Sequence, residues 1–211
     1  MPSPAPPRRV LGIDPGTHVC GWGVVDRDGP RLVTVGFGVV RAKASDPIER
    51  RLATIAAGLR AVVATHRPDA AAVEDVFFGR DPRAAVRLGE GRGAALVVLA
   101  DAGLPVAHYA NNVVKRSVGG AGRAAKTGVQ AMTRAILGLA NLGGELDASD
   151  ALALAICHHH RALVPATSPV RVGGRAVSPR IAAALEAAKA AERARPRRAP
   201  TAPAPARTPR P

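Results

Sequence analysis

The sequence predicts an α/β fold, a mixed sheet flanked by helices. Three observations predict it. Residues 10–41 carry three strand-like runs joined by short turns, an antiparallel meander. Residues 46–109 then alternate helix, strand, helix, strand, the order that adds further strands to one sheet. Hydrophobic residues are 47% of the 211, enough for a core, and aromatics are only 2%, so that core is built from Ala, Val, Leu and Ile.

Each element has a local reason. Met1–Arg9 is Pro-rich and reads as a flexible lead. Val10, Leu11 and Ile13 favour a buried strand that ends at Asp14. Pro15 cannot donate to a ladder and Gly16 accepts positive φ, so Asp14-Pro15-Gly16 is a tight turn. A second strand follows over Cys20–Asp26, with Gly21 and Gly23 as bare backbone, and a third over Arg31–Arg41. Asp46-Pro47 reads as an N-cap and first turn, with helical spacing from Ile48 to His66. Ala70–Val76 is a short apolar strand that carries Glu74. Asp81-Pro82 starts a second helix that Gly103 ends, and Leu104–Tyr109 is the next strand. Asn111 caps a short helix over Asn112–Val118, Gly119–Gly122 is a glycine-rich loop, and Ala125–Leu139 and Asp147–Arg161 are helices.

From Pro165 the composition shifts. Pro165–Pro211 holds ten basic and two acidic residues, a net +8 of the chain's +14. Rich in Pro, Ala and Arg, it reads as a basic, disordered tail with one marginal helix over Ile181–Ala194. The expected organisation is therefore a lead (1–9), one folded domain (10–164) and a tail (165–211). Such a charge favours polyanion partners, nucleic acid before an anionic membrane surface. Cys20 and Cys157 form no disulfide framework or CxxC pattern, which fits a reducing compartment. The lead is followed by no long apolar run, and no stretch approaches the roughly 18 apolar residues of a membrane span. The expected location is the cytoplasm.

Four carboxylates stand out. Asp14 ends a central strand, and taken alone it is equally a turn cap or a ligand for a metal or phosphate. Glu74 lies in an apolar strand, where an unpaired carboxylate is costly to bury. Asp147 and Asp150, spaced i, i+3, share one face of a helix start; alone they read as a cap and a first-turn acid. Acids that converge from separate elements suit a hard cation such as Mg²⁺, which takes oxygen ligands, keeps waters and accepts phosphate oxygens. Two such ions about 3.5–4 Å apart can activate water and stabilise the leaving oxygen in phosphodiester cleavage.

In this order and spacing, G-I-D-P-G-T at 12–17, V-E-D-V-F at 73–77, V-K-R at 114–116, K-T-G-V-Q at 126–130 and D-A-S-D-A-L-A at 147–153 resemble the RuvC-type Holliday junction resolvases. These are crossover-junction endodeoxyribonucleases of the ribonuclease H-like superfamily, and the resemblance covers about Val10 to His160. It implies a ribonuclease H-like fold with a five-stranded mixed sheet, and resolution of four-way DNA junctions by paired nicks that leave 5′-phosphate and 3′-hydroxyl ends. It implies that Asp14, Glu74, Asp147 and Asp150 are catalytic carboxylates that bind Mg²⁺, two ions per site, with Mn²⁺ able to substitute. It places Lys115 and Lys126 near the scissile phosphate and Phe77 as the aromatic that stacks on an unpaired base. It further implies a homodimer, since a two-fold junction needs two symmetric cuts, and partnership with the branch-migration helicase complex, its junction-binding subunit and its ATPase motor. The helix over 81–102 is the expected dimer face, from Val86, Leu88, Leu96, Val97 and Leu99 with Gly91 and Gly93 allowing close approach.

The chain departs from the family pattern at three places. Asp75 stands where Gln is familiar and sets a second acid beside Glu74. Leu146 precedes Asp147 where a small residue is familiar. The lead and tail lie outside the resemblance, and the tail reads either as a source of added salt-sensitive DNA affinity or as an unselected linker of biased composition. Two other readings are a non-catalytic junction binder, which the presence of all four acids opposes, and an actin-like ATPase using Gly12–Thr17 for phosphate. The ATPase would need a second phosphate loop with an acid that Gly119–Gly122 lacks. His158, His159 and His160 are consecutive and point to different sides, so they read as cations at a helix C-terminus. Cys157 reads as core.

Overall fold

A computed structural model of the protein describes residues 7–75, 82–119, 126–141, 145–162, 171–172 and 175–176. By its contacts the chain divides into two units, Met1–Val164 and Pro165–Pro211. The first holds β1 (Arg9–Asp14), β2 (Val19–Asp28), β3 (Arg31–Arg41), α1 (Ile48–His66), β4 (Ala70–Glu74), α2 (Pro82–Asp101), β5 (Val106–Tyr109), α3 (Asn111–Gly119), α4 (Lys126–Leu137) and α5 (Leu146–Ala162). The second holds two short antiparallel strands, β6 (Arg171–Val172) and β7 (Arg175–Ala176). The helix expected over Ile181–Ala194 lies outside the described residues.

The five-stranded sheet runs in the order β3-β2-β1-β4-β5. β1, β2 and β3 form the antiparallel meander, while β4 and β5 join β1 in parallel. This is the mixed sheet that the strand and helix order predicts. Alternation along β1 divides the core. Leu11 and Ile13 pack with Ile55, Leu59, Val98 and Leu99 on the side of α1 and α2. Val10 packs with Ala72, Leu152 and Ile156 on the opposite side, where α3, α4 and α5 lie.

α5 is the central helix. Ala148, Ser149, Ala151 through Cys157 and His159 are all buried. It lies against β1 and β2 because glycines face it. A Cβ on Gly12 would sit 1.9 Å from the Ala151 carbonyl oxygen, and one on Gly21 would sit 2.1 Å from that of Asp147. One on Gly23 would meet the Leu152 side chain at 2.7 Å. Glycine within a strand commonly marks such close approach of a second backbone.

Several boundaries differ from the sequence reading. β1 starts at Arg9 because the Arg8 and Arg9 amides donate to the Asp69 carboxylate, at 3.1 and 2.8 Å. α1 has Pro47, not Asp46, as its N-cap, with no side-chain hydrogen bond there. β4 stops at Glu74, short of the expected Val76. On α2, Leu99 is buried inside the subunit, and Gly91 rests on the backbone of Gly16. Neither is therefore available to a second copy. Val86 and Val97 stay exposed, at 61% and 56%. No helix among the described residues is long and apolar enough to cross a membrane.

At the end of α5 the three histidines take three different partners. The His158 ring meets the Tyr109 hydroxyl at 2.8 Å, His159 Nε2 meets the Val25 carbonyl oxygen at 2.9 Å, and His160 Nδ1 meets the Ser117 carbonyl oxygen at 3.1 Å. His159 is fully buried, and its Nδ1 has no partner. Burial is the main cause that holds its pKa below the ordinary 6.5, with Arg27 and His158 adding to the effect. His158 is shifted the same way by burial. The unfolded chain therefore takes up protons at these positions before the folded chain does. Their contribution to stability is complete above 6.5 and is lost as pH falls below it. The thermal unfolding midpoint is expected to drop between about pH 7.5 and about pH 5.5, and to drop less in His159→Gln, which keeps a donor toward Val25 without titrating. An equal drop in both proteins would refute the assignment.

Candidate active site

The site forms where the two central parallel strands end. Ile13 of β1 and Val73 of β4 are registered partners, so Asp14 and Glu74 are the next residues on neighbouring strands. Gly21 of β2 pairs with Asp14 on its other side, and the backbone of Asp147 rests on that same glycine. The first turn of α5 thus arrives at the strand ends that carry Asp14 and Glu74. All four carboxylate residues are partly buried.

Two of the four side chains share a cavity. Glu74 and Asp150 line a cavity of about 100 Å³ with Asn111 and Lys115, over apolar contributions from Val114, Val129 and Leu154. Asp14 and Asp147 both act on the Cys20 thiol. Burial chiefly pushes that thiol up to about 12, and the two carboxylates push in the same direction. Cys20 is therefore protonated and no nucleophile at neutral pH. Cys157 is likewise buried and shifted upward by burial.

Glu74 is held from two directions. Its Oε1 accepts a hydrogen bond from Asn111 Nδ2 at 2.8 Å. Its backbone carbonyl accepts one from Arg92 Nε at 3.1 Å. Arg92 also reaches His108 Nδ1 at 2.9 Å and the Asp75 carboxylate at 3.7 Å. Asp75 is thus turned toward α2, as the two-residue strand period leads one to expect. Just before α5, Glu145 accepts two hydrogen bonds from Arg41 Nη2, at 2.8 and 3.0 Å, and its carbonyl takes the Ser149 amide at 3.2 Å. The start of α5 is thereby tied to the end of β3.

Of the other site residues, Lys115 lies in the cavity on α3. Lys126 is the first residue of α4, and its side chain lies outside the described residues, as do Phe77 and residues 120–125. Sequence reasoning missed Asn111 and Arg92. Asn111 reads as a helix cap, and its place one turn before Lys115 on the same helix face was the available signal. Nothing in the sequence singles out Arg92 among the other arginines.

The donor set is four carboxylates, the ligand chemistry of a hard divalent cation. As the side chains stand, no three His, Cys, Asp or Glu among the described residues are grouped closely enough to hold a metal. The fit is therefore in ligand type and in the backbone convergence at Gly21 and at the paired strand ends.

A mixed five-stranded sheet in the order β3-β2-β1-β4-β5 with helices on both faces is the architecture of the ribonuclease H-like class. The family model described as crossover junction endodeoxyribonuclease RuvC matches residues 10–158. A curated relative of that description from Chloroflexus aggregans is 48% identical over 154 residues, covering 73% of this chain and 94% of its own. One from Rhodopseudomonas palustris is 50% identical over 156 residues, covering 74% and 89%. Among solved structures, Thermus thermophilus RuvC in complex with Holliday junction substrate aligns with a TM-score of 0.69 at 38% identity, covering 74% of this chain and 94% of its own. The yeast mitochondrial Holliday junction resolvase Ydc2, at 13% identity and a TM-score of 0.55, shares the fold. The chain belongs to the RuvC family of crossover junction endodeoxyribonucleases. It is an enzyme that resolves Holliday junctions, a metal-dependent nuclease, and family membership does not favour the non-catalytic binder.

Because Asp75 is engaged by Arg92 and turned from the cavity, Asp75→Gln is expected to leave the Mg²⁺ dependence of junction nicking unchanged. A marked shift in the metal concentration needed for half-maximal rate would make Asp75 part of the site.

Proposed function

We propose that this chain cuts four-way DNA junctions as a homodimer, placing paired symmetric nicks with Mg²⁺ held by Asp14, Glu74, Asp147 and Asp150. The observation that carries the reading is the meeting of the β1 and β4 ends with the first turn of α5, with Glu74 and Asp150 sharing one cavity with Lys115. Two ions bound there, with Mn²⁺ able to replace Mg²⁺, supply an activated water and charge stabilisation for phosphodiester hydrolysis. The four carboxylates hold the ions and keep the site negative until phosphate enters. Lys115, beside Glu74 and Asp150, takes up charge that develops on the phosphate oxygens, and Lys126 does the same from the start of α4. Phe77 stacks on an unpaired base at the branch point, a contact that tolerates any sequence. The products carry 5′-phosphate and 3′-hydroxyl ends.

Residues 10–164 are the nuclease domain, and the tail from 165 adds non-specific, salt-dependent DNA affinity. Val86 and Val97, exposed on α2, with open space around Gly89 and Gly93 at the same helical spacing, support α2 as the dimer face. The partners are the branch-migration helicase complex, with its junction-binding subunit and ATPase motor, and the setting is the cytoplasm.

Two tests follow. On a synthetic four-way junction, with linear duplex as control, wild type is expected to give symmetric nicks that need Mg²⁺. Asp147→Asn is expected to bind the junction yet cut about 10³-fold more slowly, since metal charge stabilisation is worth several kcal/mol. Tight junction binding with no nicks from wild type would overturn the proposal. Second, Val97→Glu is expected to shift the protein from dimer to monomer in sedimentation and to uncouple the two nicks. A dimer that survives both this change and Val86→Glu would remove α2 from the interface.

A further inference from the structure

Glu74 ends β4 in register with Tyr109, the last residue of β5. A single residue, Ala110, connects β5 to α3, so α3 begins beside Glu74 with Asn111. The Asn111 amide donates to Glu74 Oε1 at 2.8 Å, and the two residues line the same cavity as Lys115 and Asp150. Asn111 and Lys115 are four apart on α3 and so share a face toward that cavity. An amide and an ammonium act differently on a carboxylate. The ammonium cancels charge, whereas the amide restrains direction and leaves the full negative charge in place. A carboxylate has about four lone-pair sites, so one amide hydrogen bond leaves Oε2 wholly available. Ligating carboxylates are generally oriented by such outer hydrogen bonds. With its backbone carbonyl tied to Arg92, Glu74 is restrained at both ends.

We propose that Asn111 is a positioning residue for divalent-metal binding: its amide holds Oε1 of Glu74 and leaves Oε2 to ligate the ion. This rests on the reading of Glu74 as a metal ligand. In this role Asn111 acts through Glu74 and is not itself a ligand. The restraint lowers the ordering cost that metal binding would otherwise carry, so its loss appears as weaker metal affinity rather than slower chemistry.

The test uses the full chain and Mn²⁺ alone, titrated calorimetrically without DNA, beside Mg²⁺ dependence of nicking on a four-way junction. Asn111→Leu matches the shape and cannot donate. It is expected to weaken Mn²⁺ binding about 10-fold, the low end of outer-partner effects because the bond is exposed to water. The Mg²⁺ half-saturation point should rise in parallel, with the rate at saturating Mg²⁺ within about twofold of wild type. Junction binding in EDTA should be unchanged, which also reports an intact fold. Asn111→Gln, which restores an amide, should recover most of the affinity. Unchanged Mn²⁺ affinity in Asn111→Leu, or a loss of maximal rate at unchanged metal dependence, would overturn the assignment. Glu74→Gln separates the two layers. If it binds Mn²⁺ as wild type does, Glu74 is no ligand and both readings fall; if it loses Mn²⁺ while Asn111→Leu does not, only the role of Asn111 falls.

Discussion

The approach of α5 to β1 and β2 is the contact on which the rest depends. Gly12, Gly21 and Gly23 remove the side chains that would stand between the helix and the sheet, and two carbonyls of α5 occupy the vacated space. Close packing then sets the depth of the helix, because protein interiors tolerate neither a gap nor an overlap of one methyl group. That depth fixes where the first turn of α5 falls, and with it Asp147 and Asp150. Asp14 and Glu74 need no comparable device, since neighbouring parallel strands end side by side. The metal-binding acids proposed here thus come from one helix and two strands whose spacing is decided by missing Cβ atoms.

The electrostatics follow from the same packing. The acids are partly buried, and Asp14 and Asp147 each push the Cys20 thiol upward. Like charges gathered in partly desolvated surroundings attract cations, and Arg41 binds the flanking acid Glu145 while Arg92 binds Asp75, His108 and the Glu74 backbone carbonyl. Those arginines brace the frame without cancelling the charge inside it. Arg92 joins Asp75, His108 and the Glu74 carbonyl, so the end of β4 is anchored to α2 and β5 together.

Much of this was legible in the sequence. Strand patterning and helix spacing located every element of the first unit to within a few residues, because each helix needs one apolar face against the sheet and the central strands, covered on both faces, read as continuous apolar runs. Of the four acids only Glu74, in its run of alanine and valine, breaks a local pattern; Asp14, Asp147 and Asp150 read alone as turn or cap residues, and the ordered motifs of the family resemblance are what single them out. What could not be read was side-chain partnership across elements. Pro47 rather than Asp46 caps α1, Gly91 meets Gly16 instead of a second subunit, and Asn111 turns its amide to Glu74. Each depends on the placement of elements distant in sequence, which periodicity does not carry. The tail resists for another reason: a composition rich in Pro, Ala and Arg has no apolar pattern from which contacts could be argued.

The burial of the middle of α5 has a consequence for motion. Residues 151–157 are buried on every side, so that stretch has no private route to fray or detach while the rest of the domain stays folded. The first turn differs, since Leu146 is 53% exposed and Asp147 and Asp150 are only partly buried. The end of α5 that carries the two aspartates can therefore loosen while its centre stays locked to the sheet.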